Sequence, residues 1–541
     1  MRKLYISVIC TLLTWSFVSC DDFLSEYSQD MVIAKTVTHL DEVLLGDVYI
    51  RSSAVSYGPS SGRCGFLNIL DDDVNTAKGG TFVDASGNER PIFFNVNVWN
   101  FCVSPIFGYF AWQENVGINA QGTNIADDNV TWDDLYSRIN KINVILDEIV
   151  DMSHETDEDD AAYYRVQGEA HFLRAQFYLI LANLYGKPYS ATDCEKNLCV
   201  PLKLTPYVEH DNDKETQFER ATVKAVYNQI VDDLTKAEEF LTRSPQNPKN
   251  RLHRASAEAA SLLLSRVYLY MQKWDLAEQK ASLVLESPNF MLAGISTLGN
   301  GLDFLNEDNP EIIFSQGPNY LPMAGPGSNQ YAFSALSGNF CVSSDLANIY
   351  DQINDRRFSC FFGKAEGDSL ALENKYNTST WGMQRISDVF TLRMAEAYLN
   401  KMEACAMQSG KEAEANLLLN TLRAQRIDSY SDQTYSGEEL VQQIRDERRK
   451  ELCFEGHRWF DLRRYSVCTT YPFSKPIIHV FNEVNDKGNP VKVRTYRLEE
   501  HDLAYTFAIP TKVLSFDKVP MQSNPREKRM SLEEMNIENN E

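Results

Sequence analysis

Carboxylates recur every four positions in a stretch near the carboxyl end of the chain, residues 445 to 465. Glu447, Glu451 and Glu455 would lie on one face of a helix, and basic residues at 448 to 450 are interleaved with them. Acids at this spacing could exchange protons with a substrate or hold a metal. Interleaved arginines, however, favour the ionised form of a carboxylate. We therefore expect this stretch to form a buried ion-pair scaffold and not a catalytic centre.

Two further residues in this stretch could ligate a metal. His457 and Asp461 lie four positions apart, which supplies half of a metal site, but neither an HExxH sequence nor a second histidine lies nearby. We therefore predict no metal and no cofactor. Trp459 and Phe460 require burial, and Gly456 predicts a close contact between helices.

Helices elsewhere in the chain must position this stretch. Apolar residues at helical spacing predict helices over 36–50, 130–146, 163–185, 223–241, 255–286, 390–407, 411–426 and from 438 to 465. One pair comes near the spacing of a tetratricopeptide unit, through Leu264, Ser265, Tyr268, Trp274, Ala277 and Pro288. Such pairs stack into a curved solenoid. We predict a mainly α fold, a tetratricopeptide-like helical-repeat scaffold with long irregular loop insertions and a few short strands.

Two long segments interrupt the helices. Residues 52–128 and 290–385 are rich in Gly, Ser and Asn and carry scattered aromatic residues. Ordered loops on a rigid scaffold often carry binding residues. Near the carboxyl end, alternating runs at 477–481 and 491–496 predict a hairpin, followed by a charged tail that we expect to be disordered. We expect the acidic run at 155–160 to be a solvated turn.

The balance of charge excludes one class of partner. The chain has 541 residues, 43% of them hydrophobic, and a formal net charge of −24. This composition supplies enough apolar material for a core. An acidic body repels phosphate backbones, so we predict no nucleic-acid partner.

The amino-terminal residues form a targeting segment. Two basic residues precede an apolar run from 4 to 18, which is too short to span a bilayer, and Ser19 precedes Cys20. This order predicts a signal peptide over residues 1–19 and a lipobox cysteine, Cys20, that is acylated and anchors the mature chain to a membrane. The alternative is a soluble secreted protein that is cut near the same point.

The remaining cysteines do not form a complete disulfide framework. Nine are left besides Cys10 and Cys20, and an odd number cannot be fully paired. No CxxC pair is among them, so a zinc site has no support. Cys194 and Cys199 are close enough in sequence to bridge a loop in an oxidising compartment, and whether they do stays open at this point.

Several groups of residues together resemble one family. Residues of the acidic stretch resemble the carboxyl-terminal signature of the SusD/RagB family of surface lipoproteins: Ile444, Glu447, Arg448, Glu451, Leu452, Glu455, Gly456, Arg458, Asp461, Leu462 and Arg464. A second group is similar to its amino-terminal motif, in which a helix ends at a Gly-x-Pro turn: Glu169, Ala170, Phe172, Leu173, Arg174, Ala175, Tyr178, Leu181, Tyr185, Gly186 and Pro188. A third group resembles its third repeat: Arg393, Ala395, Glu396, Tyr398, Leu399, Glu403, Ala404, Asn420, Arg423 and Arg426.

The carboxyl end departs from the family pattern. Gln522, Asn524 and Pro525 resemble the usual Gln-Asn-Pro close, but Ser523 splits it and no Gly-Tyr follows. The resemblance otherwise covers nearly the whole mature chain.

The resemblance implies a location and a role. Members are tetratricopeptide-supported lipoproteins that lie as a lid on a SusC-like, TonB-dependent transporter of the outer membrane. They capture an oligosaccharide, or in some members a peptide, and are not enzymes. Asp21 and Asp22, directly after Cys20, resemble the signal for export to the outer face of that membrane.

The resemblance also predicts where a ligand binds. Family members tend to place the site on loops before the first repeat and in an insertion between later repeats, and sugar capture needs aromatic faces with nearby hydrogen-bonding groups. The predicted contacts are Trp99, Asn100, Trp112, Tyr320, Tyr331 and Trp381, with Asp72 and Asp73 as acceptors for hydroxyl groups. A loop tryptophan can instead pack beneath its loop. The acids at 71–73 could bind Ca²⁺, but they lack the glycine and the distal glutamate of a calcium loop.

Two functional alternatives remain beside glycan or peptide capture. One is a tetratricopeptide scaffold that only assembles an outer-membrane complex. The other is a surface glycoside hydrolase, which needs paired carboxylates near the aromatic loops. We divide the chain into the signal peptide 1–19, an amino-terminal region 20–250 that holds Cys20, the first ligand loops and the first repeat, and a carboxyl-terminal region 251–541 with the insertion 290–385.

Overall fold

The computed structural model describes residues 34–50, 64–76, 81–83, 89–91, 106–207, 218–245, 252–299, 303–317, 340–364, 370–372, 375–376, 386–484, 490–516 and 518–536. Its helices are α1 Val37–Val43, α2 Ile106–Phe110, α3 Val130–Glu148, α4 Asp157–Tyr185, α5 Val223–Arg243, α6 Ala257–Tyr270, α7 Trp274–Leu285, α8 Ser344–Ala347, α9 Arg356–Phe361, α10 Met394–Ala406, α11 Glu412–Ala424, α12 Gly437–Leu452, α13 Arg458–Ser466 and α14 Thr511–Leu514. Among the residues in these ranges, no helix is both long enough and apolar enough to cross a membrane.

The strands are short and form small antiparallel sheets. They are β1 Val74–Thr76, β2 Thr81–Val83, β3 Glu89–Pro91, β4 Ile312–Ser315, β5 Phe340–Val342, β6 Phe362–Lys364, β7 Leu370–Leu372, β8 Thr391–Arg393, β9 Ile477–Val484, β10 Pro490–Leu498 and β11 Glu533–Asn536. One sheet has the order β1-β5-β7-β6 and another the order β11-β10-β9, while β2 pairs with β3 and β4 pairs with β8.

The longer helices pack against one another as an array. α4 packs against α5, α5 against α6, and α6 against α7. α7 then packs against α10, which also contacts α11 and α12. Buried residues recur at helical spacing along each of them, as in α5: Val223, Val226, Tyr227, Ile230, Leu234, Ala237 and Leu241. This arrangement confirms the predicted mainly α, tetratricopeptide-like fold.

Small residues allow the helices of the array to approach closely. A Cβ atom at Gly168 of α4 would lie 2.7 Å from Cγ of Leu241 on α5, so a side chain at this position would force the helices apart. On α6, the hydroxyl of Ser265 donates to the carbonyl oxygen of Ala277 on α7 at 3.0 Å. Small residues therefore lie where neighbouring helices approach closely.

α4 begins earlier than its apolar pattern predicts. The hydroxyl of Thr156 accepts a hydrogen bond from the N–H of Asp159 at 3.1 Å and caps the helix. Acidic residues at 157–160 form the first turn, where the helix dipole favours negative charge. The prediction of a solvated turn at 155–160 is therefore wrong from residue 157 onward, because this acidic run starts a helix.

The carboxyl end of α4 is capped by side chains from distant parts of the chain. Arg220 and Asn524 both donate to the carbonyl oxygen of Tyr185, at 3.0 Å and 2.7 Å. Arg463 donates to the carbonyl oxygen of Asn183. The last carbonyl groups of a helix have no partner within it, so residues near the end of the chain complete a helix that belongs to its first half.

The carboxyl-terminal hairpin is present where the sequence predicts it. β9 and β10 pair with Val480 opposite Thr495. β11 then adds to the outer side of β10, with Glu533 also opposite Thr495, and Lys492 lies 3.3 Å from Glu534. The prediction of a disordered tail is therefore wrong as far as Asn536, because pairing with β10 holds this segment in place.

Seven of the described cysteines are buried and have free thiols: Cys64, Cys194, Cys199, Cys360, Cys405, Cys453 and Cys468. Cys194 and Cys199 are among them, so no disulfide joins this pair in the structure. Burial makes these residues small members of the core.

Candidate functional site

Glu451 is the centre of a buried network of ion pairs. It lies on α12 and is 0% exposed. Its carboxylate accepts hydrogen bonds from Arg357 of α9 and Arg393 of β8 at 2.8 Å, and from Arg426 after α11 at 3.0 Å. All three guanidinium groups are buried as well. One carboxylate therefore joins three separate elements of the fold.

The neighbouring glutamates extend this network. Arg423 donates to Glu447 at 2.8 Å, and Lys375 lies 2.7 Å from Glu455. The spacing in the sequence suggested partners among the three adjacent basic residues. Of these, Lys450 reaches Glu447 at 3.4 Å, while the two arginines face other acids. The main partners come from distant elements, because a buried helix meets its neighbours on the face that carries these acids.

Gly456 forms a turn between α12 and α13. Its φ of 72° lies in the left-handed region, which glycine adopts without strain. A Cβ at this position would lie 3.4 Å from Cα of Val389. The expected close contact is therefore a turn packed against a loop and not a crossing of helices. Arg393 binds both Glu451 and Glu455 across this turn at 2.8 Å, so the two acids stay adjacent.

The network holds its carboxylates in the ionised form. Burial opposes ionisation of Glu451, but the guanidinium groups of Arg426, Arg393 and Arg357 outweigh it and hold the pKa well below 4.5. Burial likewise opposes ionisation of Glu455, and Arg393 again outweighs it and lowers the pKa. A carboxylate fixed in one protonation state cannot exchange a proton near neutral pH.

His457 and Asp461 lie in a second cluster of charges. Asp461 accepts from Arg448 at 2.8 Å and from Arg464 at 2.7 Å, and Arg464 also donates to Glu403 at 2.7 Å. Nδ1 of His457 lies 3.3 Å from the guanidinium group of Arg448. Burial, followed by the charges of nearby arginines, lowers the pKa of His457 well below 6.5. Both His457 and Asp461 therefore lie within hydrogen-bond distance of guanidinium groups.

Asp72 and Asp73 join the network to the first loop segment. Arg458 of α13 donates to Asp72 at 2.7 Å and 2.9 Å, and Arg449 of α12 donates to Asp73 at 2.7 Å. Lys475 lies 2.7 Å from Asp72. Both acids are buried, so in this structure they offer no oxygen to an outside hydroxyl group. The carboxylates at 71–73 lie within 4.8 Å of one another. The three basic groups bind two of them, Asp72 and Asp73, whereas burial and then the charges of these two neighbours raise the pKa of Asp71 well above 3.8.

Trp112 packs between other residues of the first loop segment and the carboxyl-terminal hairpin. It is 0% exposed, and its indole N–H donates to the carbonyl oxygen of Leu70 at 2.8 Å. Its ring stacks on His479 with centroids 4.2 Å apart. Burial lowers the pKa of His479 to about 4, although the carbonyl oxygens of Phe110 and Asp71, each 2.8 Å from a ring nitrogen, favour the charged form. This placement argues against direct ligand contact by Trp112 and is the packing alternative that the sequence left open.

The other predicted ligand contacts, Trp99, Asn100, Tyr320, Tyr331 and Trp381, lie outside the described residues, as does Cys20. The described residues that border their segments are brought together. The N–H of Gly317 donates to the carbonyl oxygen of Ile50 at 2.9 Å, and the N–H of Ser387 donates to the hydroxyl of Ser315 at 2.8 Å. Three segment borders therefore meet at β4.

A second junction lies on the β1-β5 sheet. Thr76, at the end of β1, is opposite Phe340, at the start of β5. Phe340 in turn lies beside Phe110 of α2, with ring centroids 5.4 Å apart. Asn75 of β1 accepts from the N–H of Val480 at 2.9 Å. The two segments, which are far apart in sequence, thus start from one sheet that the carboxyl-terminal hairpin supports.

Comparisons with known proteins agree with this architecture. Residues 90–269 match the family described as SusD-like, starch-binding and associating with the outer membrane, and residues 369–525 match the SusD/RagB family. The chain belongs to the SusD/RagB family. The second match contains the acidic stretch together with Arg393, Arg423 and Arg426 that bind it, whereas Arg357 lies before the matched region.

Relatives within the SusD/RagB family cover most of the chain. SusD-like protein P25 of Formosa agariphila is 24% identical in an alignment of 523 positions that covers 85% of this chain and 89% of that protein. A solved SusD superfamily protein from Bacteroides thetaiotaomicron has a TM-score of 0.64 at 20% identity and covers 91% of this chain and 100% of its own. A laminarin-binding SusD-like protein has a TM-score of 0.59 at 21% identity, with the same coverage. The fold extends over nearly the whole chain.

Two basic partners of the glutamates at 447, 451 and 455 escaped the sequence analysis. Arg357 and Lys375 lie in the loop-rich insertion, outside any helical pattern, yet both are 0% exposed. A signal for Arg357 was present, because it stands beside Phe358 and close to Phe361. A basic residue among aromatic ones is often buried with an acid as its partner.

Replacement of Glu451 by alanine should destabilise the protein strongly. Three buried guanidinium groups would lose a shared carboxylate, and breaking a buried ion pair on one side costs about 3–5 kcal/mol. The free energy of unfolding, measured by urea titration, should fall by that amount. Glu439→Ala, on an exposed residue of the same helix, is the control and should change stability by less than about 0.5 kcal/mol. Equal effects of the two variants would contradict the role of Glu451.

The same acids should make stability depend on pH. The pKa values of Glu447, Glu451 and Glu455 are lowered from 4.5 in the folded protein, so the unfolded chain binds more protons. Their contribution to the free energy of unfolding is complete above the unfolded pKa of 4.5. It is lost as the pH falls through the lower pKa values of the folded protein. Urea titrations at a series of pH values should show the free energy of unfolding dropping below about pH 4.5. Glu451→Gln should show a smaller drop, and equal drops in both proteins would be evidence against this mechanism.

Proposed function

We propose that this chain is a cell-surface lipoprotein that captures an oligosaccharide and delivers it to a SusC-like, TonB-dependent transporter of the outer membrane. In this proposal the protein binds its ligand and does not transform it. The observation that carries the proposal is the convergence of the two aromatic-rich segments, whose described borders meet at β4 and on the β1-β5 sheet.

The relatives support a glycan as the ligand. The family matched by residues 90–269 is described as starch-binding and as associating with the outer membrane. One of the similar solved structures is a laminarin-binding protein. Membership of the same family makes a carbohydrate the first ligand class to test for this chain.

The chemistry of the two segments fits such a ligand. Trp99 and Asn100 lie in the first, and Tyr320, Tyr331 and Trp381 lie in the second. Aromatic rings stack against the apolar face of a pyranose, and an amide group binds hydroxyl groups in a fixed direction. A site with residues from both segments requires the borders of these segments to be adjacent. The described borders are adjacent at β4 and on the β1-β5 sheet.

The ion-pair network would give such a site a rigid base. Arg449 binds Asp73, and Arg458 binds Asp72. Trp112 packs against Leu70 of the same segment. A binding surface held on a rigid base loses less conformational entropy when it binds. Trp112, Asp72 and Asp73 therefore serve the proposed site as supports.

Lipid anchoring through Cys20 would keep the protein at the membrane that contains the transporter. Acyl chains on this cysteine are the only membrane attachment the proposal needs. Asp21 and Asp22 directly follow it, and by the family resemblance they direct export to the outer face.

The proposed site predicts a loss of glycan affinity in aromatic variants. Isothermal titration of the purified protein against a panel of neutral and acidic oligosaccharides should identify at least one ligand. Trp99→Ala and Trp381→Ala should each weaken its binding at least about tenfold, because a buried aromatic contact often contributes more than 1 kcal/mol. Phe516→Ala removes an exposed aromatic residue outside both segments and should leave affinity unchanged.

Other results of this titration would contradict the proposal. If the protein binds peptides and no glycan, its ligand is a peptide and not an oligosaccharide. Binding of neither, by a protein whose unfolding transition is normal, would favour a scaffold that only assembles an outer-membrane complex. Release of reducing sugar from a bound glycan would indicate a hydrolase.

The proposed anchor predicts a change in location. Cells that produce the Cys20→Ala variant should release the protein from the membrane fraction, whereas the Cys10→Ala variant, altered within the signal peptide, should remain attached. Immunoblots of separated membrane and soluble fractions measure both. Equal retention of the two variants would exclude Cys20 as the anchor.

A further inference from the structure

A cavity lies between the carboxyl end of α5 and the amino end of α6. Its volume is about 210 Å³. Residues 241–242 and 244–245 at the end of α5, residues 254–258 at the start of α6, and Asn289 after α7 line it. Pockets for drug-sized ligands usually measure about 300–1,000 Å³. This cavity therefore has room for a smaller molecule, of the size of a single sugar ring.

The charges of the lining favour a ligand without net charge. Arg254 donates to Glu169 at 2.9 Å and to Asp41 at 3.1 Å, and these carboxylates balance its charge. Glu258, the other charged residue of the lining, repels an anion. A cation is disfavoured by the guanidinium group and by the positive end of the α6 dipole. A neutral molecule meets neither obstacle.

Hydrogen-bond donors and acceptors without partners meet at this cavity. The N–H groups of Ala257 and Glu258, in the first turn of α6, donate to no described group. The carbonyl oxygen of Leu241 cannot continue the bonding of α5, because Pro245 has no N–H. Nδ2 of Asn289 donates to Oε1 of Glu258 at 2.8 Å, which leaves Oδ1 of the amide and Oε2 of the carboxylate without a described donor. The lining can therefore both donate to a ligand and accept from it.

The part of the lining around Arg254 is fixed by buried contacts. The N–H of Ala255 donates to the hydroxyl of Tyr49 at 3.0 Å. That hydroxyl donates in turn to Glu169 at 2.7 Å, the same carboxylate that binds Arg254. Tyr49, Ala255 and Glu169 are all buried. Groups that are fixed before binding lose little conformational entropy when a ligand arrives.

We propose that this cavity is a second ligand site, which binds one neutral sugar ring. The hydroxyl groups of a pyranose both donate and accept, so they match the N–H groups at the start of α6 and the free oxygens of Glu258 and Asn289. The side chains of Leu241 and Ala257 offer apolar contact to its C–H groups. The site uses no residue of the two loop segments, so it does not depend on the proposed capture of an oligosaccharide there.

Saturation-transfer NMR with simple sugars tests the site. The purified protein is titrated with glucose, galactose, mannose and xylose, and at least one of them should give a saturable signal. Ala257→Leu fills the cavity with a larger side chain and should abolish this signal. Ala413→Leu, at an exposed alanine in the first turn of α11, is the matched control and should retain it. Asn289→Ala removes one hydrogen-bonding group and should weaken binding about fivefold.

Further comparisons separate this site from the loops. The double variant Trp99→Ala, Trp381→Ala should bind the sugar as tightly as the wild type. Glucuronate and glucosamine, which carry charge, should bind more weakly than glucose at equal ionic strength. Melting curves show whether each variant is folded, and Asn289→Ala keeps the test decisive if Ala257→Leu fails to fold.

Four results would overturn the proposal. They are no saturable signal from any of the sugars, an equal signal in Ala257→Leu, unchanged affinity in Asn289→Ala, and loss of the signal in the tryptophan double variant. The last result would assign the sugar to the loop segments and leave the proposed function intact.

Discussion

The structure depends on one constraint: a carboxylate buried on α12 must find enough positive charge to stay ionised. Glu451 meets it by binding guanidinium groups from α9, β8 and the end of α11. Each of these elements must be in place before the others are stable, because an isolated charge in the interior is strongly unfavourable. The network therefore couples the insertion, the third repeat and the last repeat more tightly than apolar packing alone, and its outer members, Arg449 and Arg458, extend that coupling to the first loop segment.

The sequence predicted the parts of the molecule that depend on local periodicity. The helices of the array, the hairpin of β9 and β10, and the burial of the acids at 447, 451 and 455 all follow from residues close together in the chain. What could not be predicted depends on contacts between distant residues. The spacing of Glu447 and Glu451 indicated bases one turn away, whereas Arg357, Lys375 and Arg393 come from other elements. Trp112 was equally ambiguous, because nothing local distinguishes a ring that packs under a loop from one that meets a ligand.

The proposed site combines a buried base, which fixes positions, with loop segments, which contact the ligand. Buried ion pairs and stacked rings, such as Trp112 on His479, fix the base and set where the two loop segments begin. The loops can then vary in sequence without disturbing that base, since their borders are held by backbone hydrogen bonds at β4 and by the pairing of β1 with β5. A family that keeps the base and changes the loops can recognise many different ligands on one scaffold.

The capping of α4 also has a consequence for the order of events during synthesis. The carbonyl group of Asn183 is bound by Arg463, 280 residues later in the chain, and that of Tyr185 by Asn524, 339 residues later. As the ribosome makes the protein from its amino terminus, Arg220 is available early to bind the carbonyl oxygen of Tyr185, but the bonds from Arg463 and Asn524 form only when translation is nearly finished. Contacts of such long range close slowly. The final contacts of this helix end are therefore among the last to form, an order compatible with the export that the proposed location requires.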